Sequence, residues 1–330
     1  MILVTGGAGY IGSHIVLALL DRGDRVMVLD NLLTGNRWLV PEGAIFIEGD
    51  CSDAELVMRL VAEHGITAAI HCAGVISVPE SVERPLYYYD INVGKAVRFF
   101  AAATVAGVRH LLFSSTATVY GALDLDTLSE ALPMAPVNPY AASKAMTERA
   151  LADLAATGAA NVAVLRYFNV AGADPAGRSG QVSREATHLI KIAAEVVTGK
   201  RDHIKVTGND FATADGTGVR DYIHIGDLAA AHLAALDALV AAPGESLTLN
   251  VGYGHGASVL EVLDAVDRVA DTPLDRVAAP RRPGDVARLV ADVSAIKARL
   301  DWQPRFDDLD RIVADAIAWE RRLEARRSAG

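Results

Sequence analysis

The sequence predicts an α/β protein built on a doubly wound parallel sheet, with a smaller, interleaved C-terminal part over the strand ends. Two observations carry the prediction. The first 170 residues alternate short apolar runs with helical patterns, and a glycine-rich turn joins the first run to the first helix. Runs of Val, Ile and Leu without polar alternation belong to strands covered on both faces.

Taken in order, residues 2–4 read as the first strand, followed by a helix through Leu20. Further strands fall at 25–30, 44–48, 68–71, 110–113 and 161–166. After Asn169 the character changes, and 171–180 and 208–220 have loop composition. Between and beyond them the pattern gives a helix over 186–198, a strand over 221–225 and a helix over 227–240. A strand over 247–251 and a helix over 258–271 follow. The tail 320–327 reads as the solvated end of a helix.

Composition narrows the function. Of 330 residues 51% are hydrophobic, which is ample for a large core. The two cysteines, Cys51 and Cys72, make no disulfide framework, so a reducing compartment, the cytoplasm, is expected. Residues 1–5 read as a buried strand, which leaves no room for the regions of a signal peptide. No run of 18 apolar residues occurs, so no membrane span is expected. The net charge of −10 argues against nucleic acid, although a few arginines can still hold a small anion. No metal site is read.

Gly6, Gly9 and Gly12 form a G-x-x-G-x-x-G turn between strand and helix. Glycine permits the tight turn and lets backbone N–H groups approach phosphates at the positive end of the helix. Asp30 ends the second strand, 18 residues after Gly12. A carboxylate there bonds both ribose hydroxyls and repels a 2′-phosphate, so NAD is favoured over NADP. Asp50 ends the third strand within reach of an adenine amino group, or is an ordinary strand-end cap. Cys72, Ala73 and Gly74 end the fourth, where the chain passes close to ribose and phosphates. Asn92 follows in a helix, as a cofactor contact or facing solvent. Tyr10, Ile11, Asn31, Leu32, Thr34, Gly35, Cys51 and Phe168 complete the candidate cofactor contacts.

Tyr140 and Lys144 stand four apart and share one helical face. A nearby ammonium favours the phenolate, as does a positive nicotinamide ring, so the tyrosine can act as a base. Lys144 can also bond the nicotinamide ribose. Thr116, in the hydroxyl cluster Ser114-Ser115-Thr116, is placed to bond a substrate oxygen and relay its proton to Tyr140. Ser114 and Ser115 are expected to satisfy backbone groups. Ala117 and Thr118 stand where an elimination would need an acid–base pair, so redox without loss of water is favoured.

These residues, in this order, resemble the extended short-chain dehydrogenase/reductase superfamily, with its Rossmann fold. Within it the chain is similar to the UDP-glucose (UDP-galactose) 4-epimerase family over nearly its whole length. The specific stretches include Pro79-Glu80-Ser81-Val82, Leu165-Arg166-Tyr167-Phe168-Asn169, Asp215-Gly216-Thr217-Gly218-Val219-Arg220-Asp221-Tyr222-Ile223-His224 and Arg281-Arg282-Pro283-Gly284-Asp285. The resemblance implies bound NAD that is recycled, a transient 4-keto sugar that turns over, and hydride return to the opposite face. It makes Tyr140 the base, Lys144 its tuning partner and Thr116 the hydroxyl partner. Asn169 and His188 become candidate substrate contacts, Arg220 and Arg282 a diphosphate clamp, and Asp285 a ribose contact. The expected division is an NAD-binding domain over 1–170, with return segments around 222–253, and a mainly nucleotide-sugar-binding domain over 171–330. Family members usually pair as homodimers, and the apolar faces around 93–106 and 146–156 are candidates, although buried core helices would look the same.

Some positions depart from the family pattern. Ile76 stands where a lysine often contacts the cofactor, and Thr207 where an aromatic often packs near uracil. Thr187-His188 replaces an asparagine pair. Leu289 holds the place of a residue that gates sugar size, and leucine is intermediate. Epimerisation of N-acetylhexosamine, uronic or pentose UDP-sugars therefore stays open. A catalytically silent NAD-binding regulator would have lost the Tyr140/Lys144 pair, and both are present.

Overall fold

The computed structural model describes residues 1–123, 125–182, 186–281 and 285–328. Six strands lead the chain: β1 (Ile2–Thr5), β2 (Val26–Asp30), β3 (Ile45–Glu48), β4 (Ala68–His71), β5 (His110–Thr116) and β6 (Asn161–Tyr167). The strand Leu247–Val251 joins them in a seven-stranded sheet, in the order Leu247–Val251, β6, β5, β4, β1, β2, β3. All neighbours are parallel. The order reverses between β1 and β4, and in an open parallel sheet that crevice is where ligands bind.

Both faces are covered, as the unbroken apolar strands require. Leu3, Met27, Leu29, Leu111 and Phe113 face one core with Phe99 and Phe100. Val4, Val28, Ile70, Leu112 and Leu165 face the other, with Ile15, Leu228 and Val262. The helices that place the site are α1 (Tyr10–Arg22), α2 (Ala54–His64), α3 (Val78–Glu83), α4 (Pro85–Tyr89), α5 (Ala96–Val105) and α6 (Pro139–Ala156). A π-helical turn, Asp90–Lys95, joins α4 to α5.

β5 runs three residues beyond the apolar stretch that announces it, through Ser114, Ser115 and Thr116, each paired in register with β6. Hydroxyls look like loop in a sequence. Here they are buried because side chains rather than water satisfy them. After β6 the chain returns to the main sheet at Leu247–Val251, and among the described residues the segments before and after that strand form three small sheets. In one of them Val219–Arg220 lies between Ala257–Ser258 and Arg288–Leu289.

The final helix, Leu309–Ser328, agrees with the reading of the tail as a helix end, and six of residues 320–327 are exposed; Glu320 and Leu323 are the exceptions. Glu320 is buried and ion-paired with buried Lys191, and Leu323 packs with Trp319 and Leu39. The basic run carries its acid and its leucine on an inward face, which a charge count hides.

Candidate active site

The first wall of the cleft is the glycine turn. Gly6 has φ +73°, and a Cβ on it would sit 2.6 Å from the Ala73 backbone nitrogen. A Cβ on Gly12 would collide with the Gly6 carbonyl oxygen. Only bare backbone fits where the ends of β1 and β4 approach the N-terminus of α1, and a phosphate fits that cradle. Asp30 is 8% exposed and accepts N–H bonds from Ala8 at 3.0 Å and Leu32 at 2.8 Å. Burial raises its carboxyl above the ordinary value. Leu32 takes a left-handed backbone, φ 57°, and the loop brings Gly35 against the Asp30 carboxylate.

One cleft of 1760 Å³ runs along this sheet edge and on to the C-terminal segments. Small-ligand pockets reach about 1,000 Å³, so there is room for a dinucleotide and a second nucleotide together. Gly6, Gly9, Tyr10, Ile11, Gly12, Asp30, Asn31, Leu32, Thr34, Gly35, Asp50, Cys51, Cys72, Ala73, Gly74 and Phe168 all line it. Asn92 does not face it. Its carboxamide is spent behind the wall, accepting from the Val75 N–H at 2.9 Å and donating to the Val75 carbonyl at 2.9 Å and Ser143 Oγ at 3.1 Å. Asn92 thus ties the end of β4 to α6.

Asn138 caps α6, accepting from the Ala141 N–H at 2.9 Å, and Pro139 starts the helix. Tyr140 therefore sits in the first turn and Lys144 one turn on, both buried and both lining the cleft. The Thr116 hydroxyl lies close enough to the Tyr140 phenol to favour its ionised form. Lys144 Nζ donates to the Ser114 carbonyl at 2.9 Å and lies 4.8 Å from the Phe113 ring centre.

The polypeptide alone does not lower the phenol as the Tyr/Lys spacing suggested. Burial pushes Tyr140 up to about 12, and the Thr116 hydroxyl opposes this. The ammonium is aimed at Ser114, and burial lowers it to about 8 while the nearby Cys72 and Glu148 side chains support its charge. The protein thus desolvates the base without ionising it.

Ser114 and Ser115 were expected to satisfy backbone groups, and they bond side chains instead. Ser114 Oγ lies 3.0 Å from His232 Nε2 and 3.2 Å from Cys72 Sγ. Ser115 donates to the Glu148 carboxylate. Glu148 holds Arg166 in a buried pair at 2.6 Å, Arg166 donates to the Tyr120 hydroxyl at 3.1 Å, and Tyr120 donates to Asn250 at 2.7 Å. This network lies under the site and was missed. The available signal was Glu148, four residues after Lys144 on the same face.

At the far end Asn169, His188, Arg220 and Asp285 line the cleft. Arg220 donates to the Val219 carbonyl at 2.8 Å, and its guanidinium is 3.9 Å from Asp285. Arg282 lies outside the described residues. Gln181 Nε2 is 3.0 Å from His188 Nδ1, so the imidazole is held by a side chain and makes no helix cap. Thr207 is followed by Phe211, a buried aromatic on the cleft wall with the Arg281 guanidinium 3.9 Å over its ring. Sequence reading missed it. Leu289 also lines the cleft, paired in register with Arg220. Beside Thr116, Ala117 is buried and the Thr118 hydroxyl lies 3.0 Å from Thr116 Oγ1. Among the described residues no group of three or more His, Cys, Asp or Glu could hold a metal ion.

A phosphate cradle and a desolvated phenol on one sheet edge put the protein in the class of dinucleotide-using enzymes that act on a carbinol. The model of the NAD dependent epimerase/dehydratase family matches residues 2–252. The chain belongs to that family. A relative named UDP-glucose 4-epimerase, from Azospirillum brasilense, is 47% identical over 323 residues, covering 98% of this chain and 92% of that protein. The structure of UDP-glucose-4-epimerase from Stenotrophomonas maltophila, with bound NAD and formylated UDP-arabinopyranose, superposes with a TM-score of 0.95 at 38% identity, over 98% of this chain and 99% of that one. That of UDP-glucose 4-epimerase from Bifidobacterium longum, in complex with NAD+ and UDP, gives 0.91 at 35% identity, over 97% and 98%.

Proposed function

We propose that the protein is an isomerase, a UDP-glucose 4-epimerase that interconverts UDP-glucose and UDP-galactose through a transient 4-keto sugar. The observation that carries this reading is the Thr116–Tyr140 hydroxyl pair, with Lys144 one turn on, set in a cleft with room for two nucleotides and with Ala117 and Thr118 where an acid–base pair would stand. NAD held by Asp30 and the glycine turn would supply the hydride acceptor and donor for C4, and a positive ring beside the buried phenol of Tyr140. Tyr140 takes the 4-hydroxyl proton and gives it back, and Thr116 bonds the same oxygen. Lys144 holds cation character beside the base. Asp30 receives the adenosine ribose, and the glycine turn the pyrophosphate. Arg220 grips the substrate diphosphate, so that the ketone is retained while the sugar ring turns. Asn169, His188 and Asp285 orient the rest of the nucleotide sugar.

Leu289 favours a second substrate. A leucine on the cleft wall leaves more room than an aromatic ring, and this supports turnover of the 2-acetamido sugars as well. Purified protein given UDP-galactose, or UDP-N-acetylgalactosamine, with no added cofactor tests both readings by NMR. Conversion of UDP-galactose without net NADH is expected, and no conversion even with added NAD defeats the first reading. An inert acetamido sugar defeats the second.

We also propose the division into an NAD-binding part, 1–170 with return segments around 222–253, supported by the pairing of Leu247–Val251 with β6, and a mainly substrate-binding part over 171–330. A homodimer is supported by exposed Val97, Ala101 and Val105 on α5 and Met146 on α6. None of the described helices is long and apolar enough to cross a membrane. With two free thiols in the chain, this supports placement in the cytoplasm.

A further inference from the structure

The strongest feature outside the reaction centre is an ion pair at the opposite end of the cleft. Asp50 follows β3, and Lys95 closes the π-helical turn before α5, on the facing wall. Both line the cleft, and their side chains are ion-paired, 34% and 22% exposed respectively. Asp50 Oδ1 already accepts from the Ser52 N–H at 2.9 Å and the Ser52 hydroxyl at 2.8 Å. Lys95 occupies Oδ2. A carboxylate offers about four acceptor sites, so one is left, the right number for a single exocyclic N–H.

The backbone explains how Lys95 arrives there. Asn92, three residues earlier, is buried behind the wall. In an α-helix three residues turn by about 300° and so face nearly the same way. The wider π turn reduces this, and π turns recur at functional sites. Here the turn parts the two side chains, Asn92 inward to Val75 and Ser143 and Lys95 to the cleft.

We propose that Lys95 is a cofactor-retention residue: its bond to Asp50 joins the two walls at the adenine end of the cleft and slows the departure of NAD. This rests on the assignment of Asp50 to the adenine. A cycle that hands hydride back to the same sugar fails whenever the reduced cofactor leaves first, so a slow off-rate serves the reaction directly.

The test is the release of NADH from the reduced holoenzyme, followed by the loss of bound-NADH fluorescence on adding excess NAD. The variants are Lys95→Met, Lys95→Arg, Asp50→Ala and Lys95→Met with Asp50→Ala. Lys95→Met is expected to release NADH about three- to fivefold faster, the upper scale of a partly exposed ion pair, and Lys95→Arg to stay near wild type. Salt should speed release from the wild type and not from Lys95→Met. Because Lys95 acts through Asp50, the double variant should release no faster than Asp50→Ala alone. Release from Lys95→Met within twofold of wild type overturns the proposal, as do additive effects in the double variant. If Asp50→Ala leaves release unchanged, the adenine is not at this end, and the assignment falls together with the proposal.

Discussion

Lys144 should be a residue that the fold would be more stable without. The residue is 4% exposed, and burial lowers its ammonium from the ordinary 10.5 to about 8. Each unit is worth about 1.4 kcal/mol, so holding the charged form inside costs about 3 kcal/mol at neutral pH. Its bond to the Ser114 carbonyl, 2.9 Å long, returns about 1–2 kcal/mol of that. Lys144→Met keeps the length of the side chain and its contact with the Phe113 ring. The variant should gain about 1–2 kcal/mol at pH 7 while turnover drops at least about 100-fold. The pH dependence fixes the cause. Between pH 8 and 10.5 the unfolded chain still binds the lysine proton and the native site has released it. The slope of unfolding free energy on pH is therefore positive in that window for wild type, and the cost, complete below 8, is gone by 10.5. Lys144→Met lacks this rise, so the two curves should converge toward pH 10.5. Urea unfolding of cofactor-free protein at pH 7.0 and 9.5, followed by circular dichroism, measures the gap. A variant less stable than wild type at pH 7, or a gap that does not narrow, would refute the reasoning.

Three further outcomes are expected. Tyr140→Phe should lower kcat by about 100- to 10,000-fold and move the melting temperature little, because Thr116 Oγ1 keeps its contacts with the Thr118 N–H at 3.2 Å and hydroxyl at 3.0 Å; a kcat within tenfold of wild type removes Tyr140 from the chemistry. Glu148→Leu strands the Arg166 guanidinium, 7% exposed, and should cost about 3–5 kcal/mol in urea unfolding; adding Arg166→Met should recover most of it, and no recovery would show that the pair is not the source. His232 is buried neutral and lowered from 6.5 to about 4, so the unfolded chain protonates it first and its stabilising share is lost as pH falls from 6.5 toward 4. His232→Gln should therefore take up about one proton fewer on unfolding near pH 5, read from the slope of unfolding free energy against pH, and an unchanged slope would contradict this.

The central apolar strands β1, β2 and β4 were legible because each is buried on both faces, and such strands need no partner to be read; β3, at the sheet edge and half-exposed, was read from its apolar run alone. The glycine turn and Asp30 were legible because their chemistry fixes the spacing. Asn92 was not, because a carboxamide in a helix looks the same whether it touches a ligand or, as here, closes two backbone groups of Val75. The length of β5 was hidden for a related reason. Ser114 and Ser115 are satisfied by His232 and Glu148, 118 and 33 residues away, and long-range partners leave no local pattern. The phenol went the other way from its expected direction. Spacing put Lys144 on the same face as Tyr140, but only coordinates show that its ammonium reaches Ser114 and that both groups are desolvated. Phe211 and Lys95 escaped because an aromatic in a loop and a lysine after a helix turn are ordinary until the cleft is drawn around them.

The central claim is that the hydrogen leaves C4 and returns to C4 within one bound complex. UDP-galactose deuterated at C4, incubated with the purified protein in ordinary water, tests it most directly. The account predicts UDP-glucose that keeps its deuterium at C4, with none in the solvent and none in added NAD. Loss of the label to water would mean proton abstraction or elimination at that carbon, and label in the free cofactor pool would mean a dehydrogenase that lets its product go; either would contradict the account.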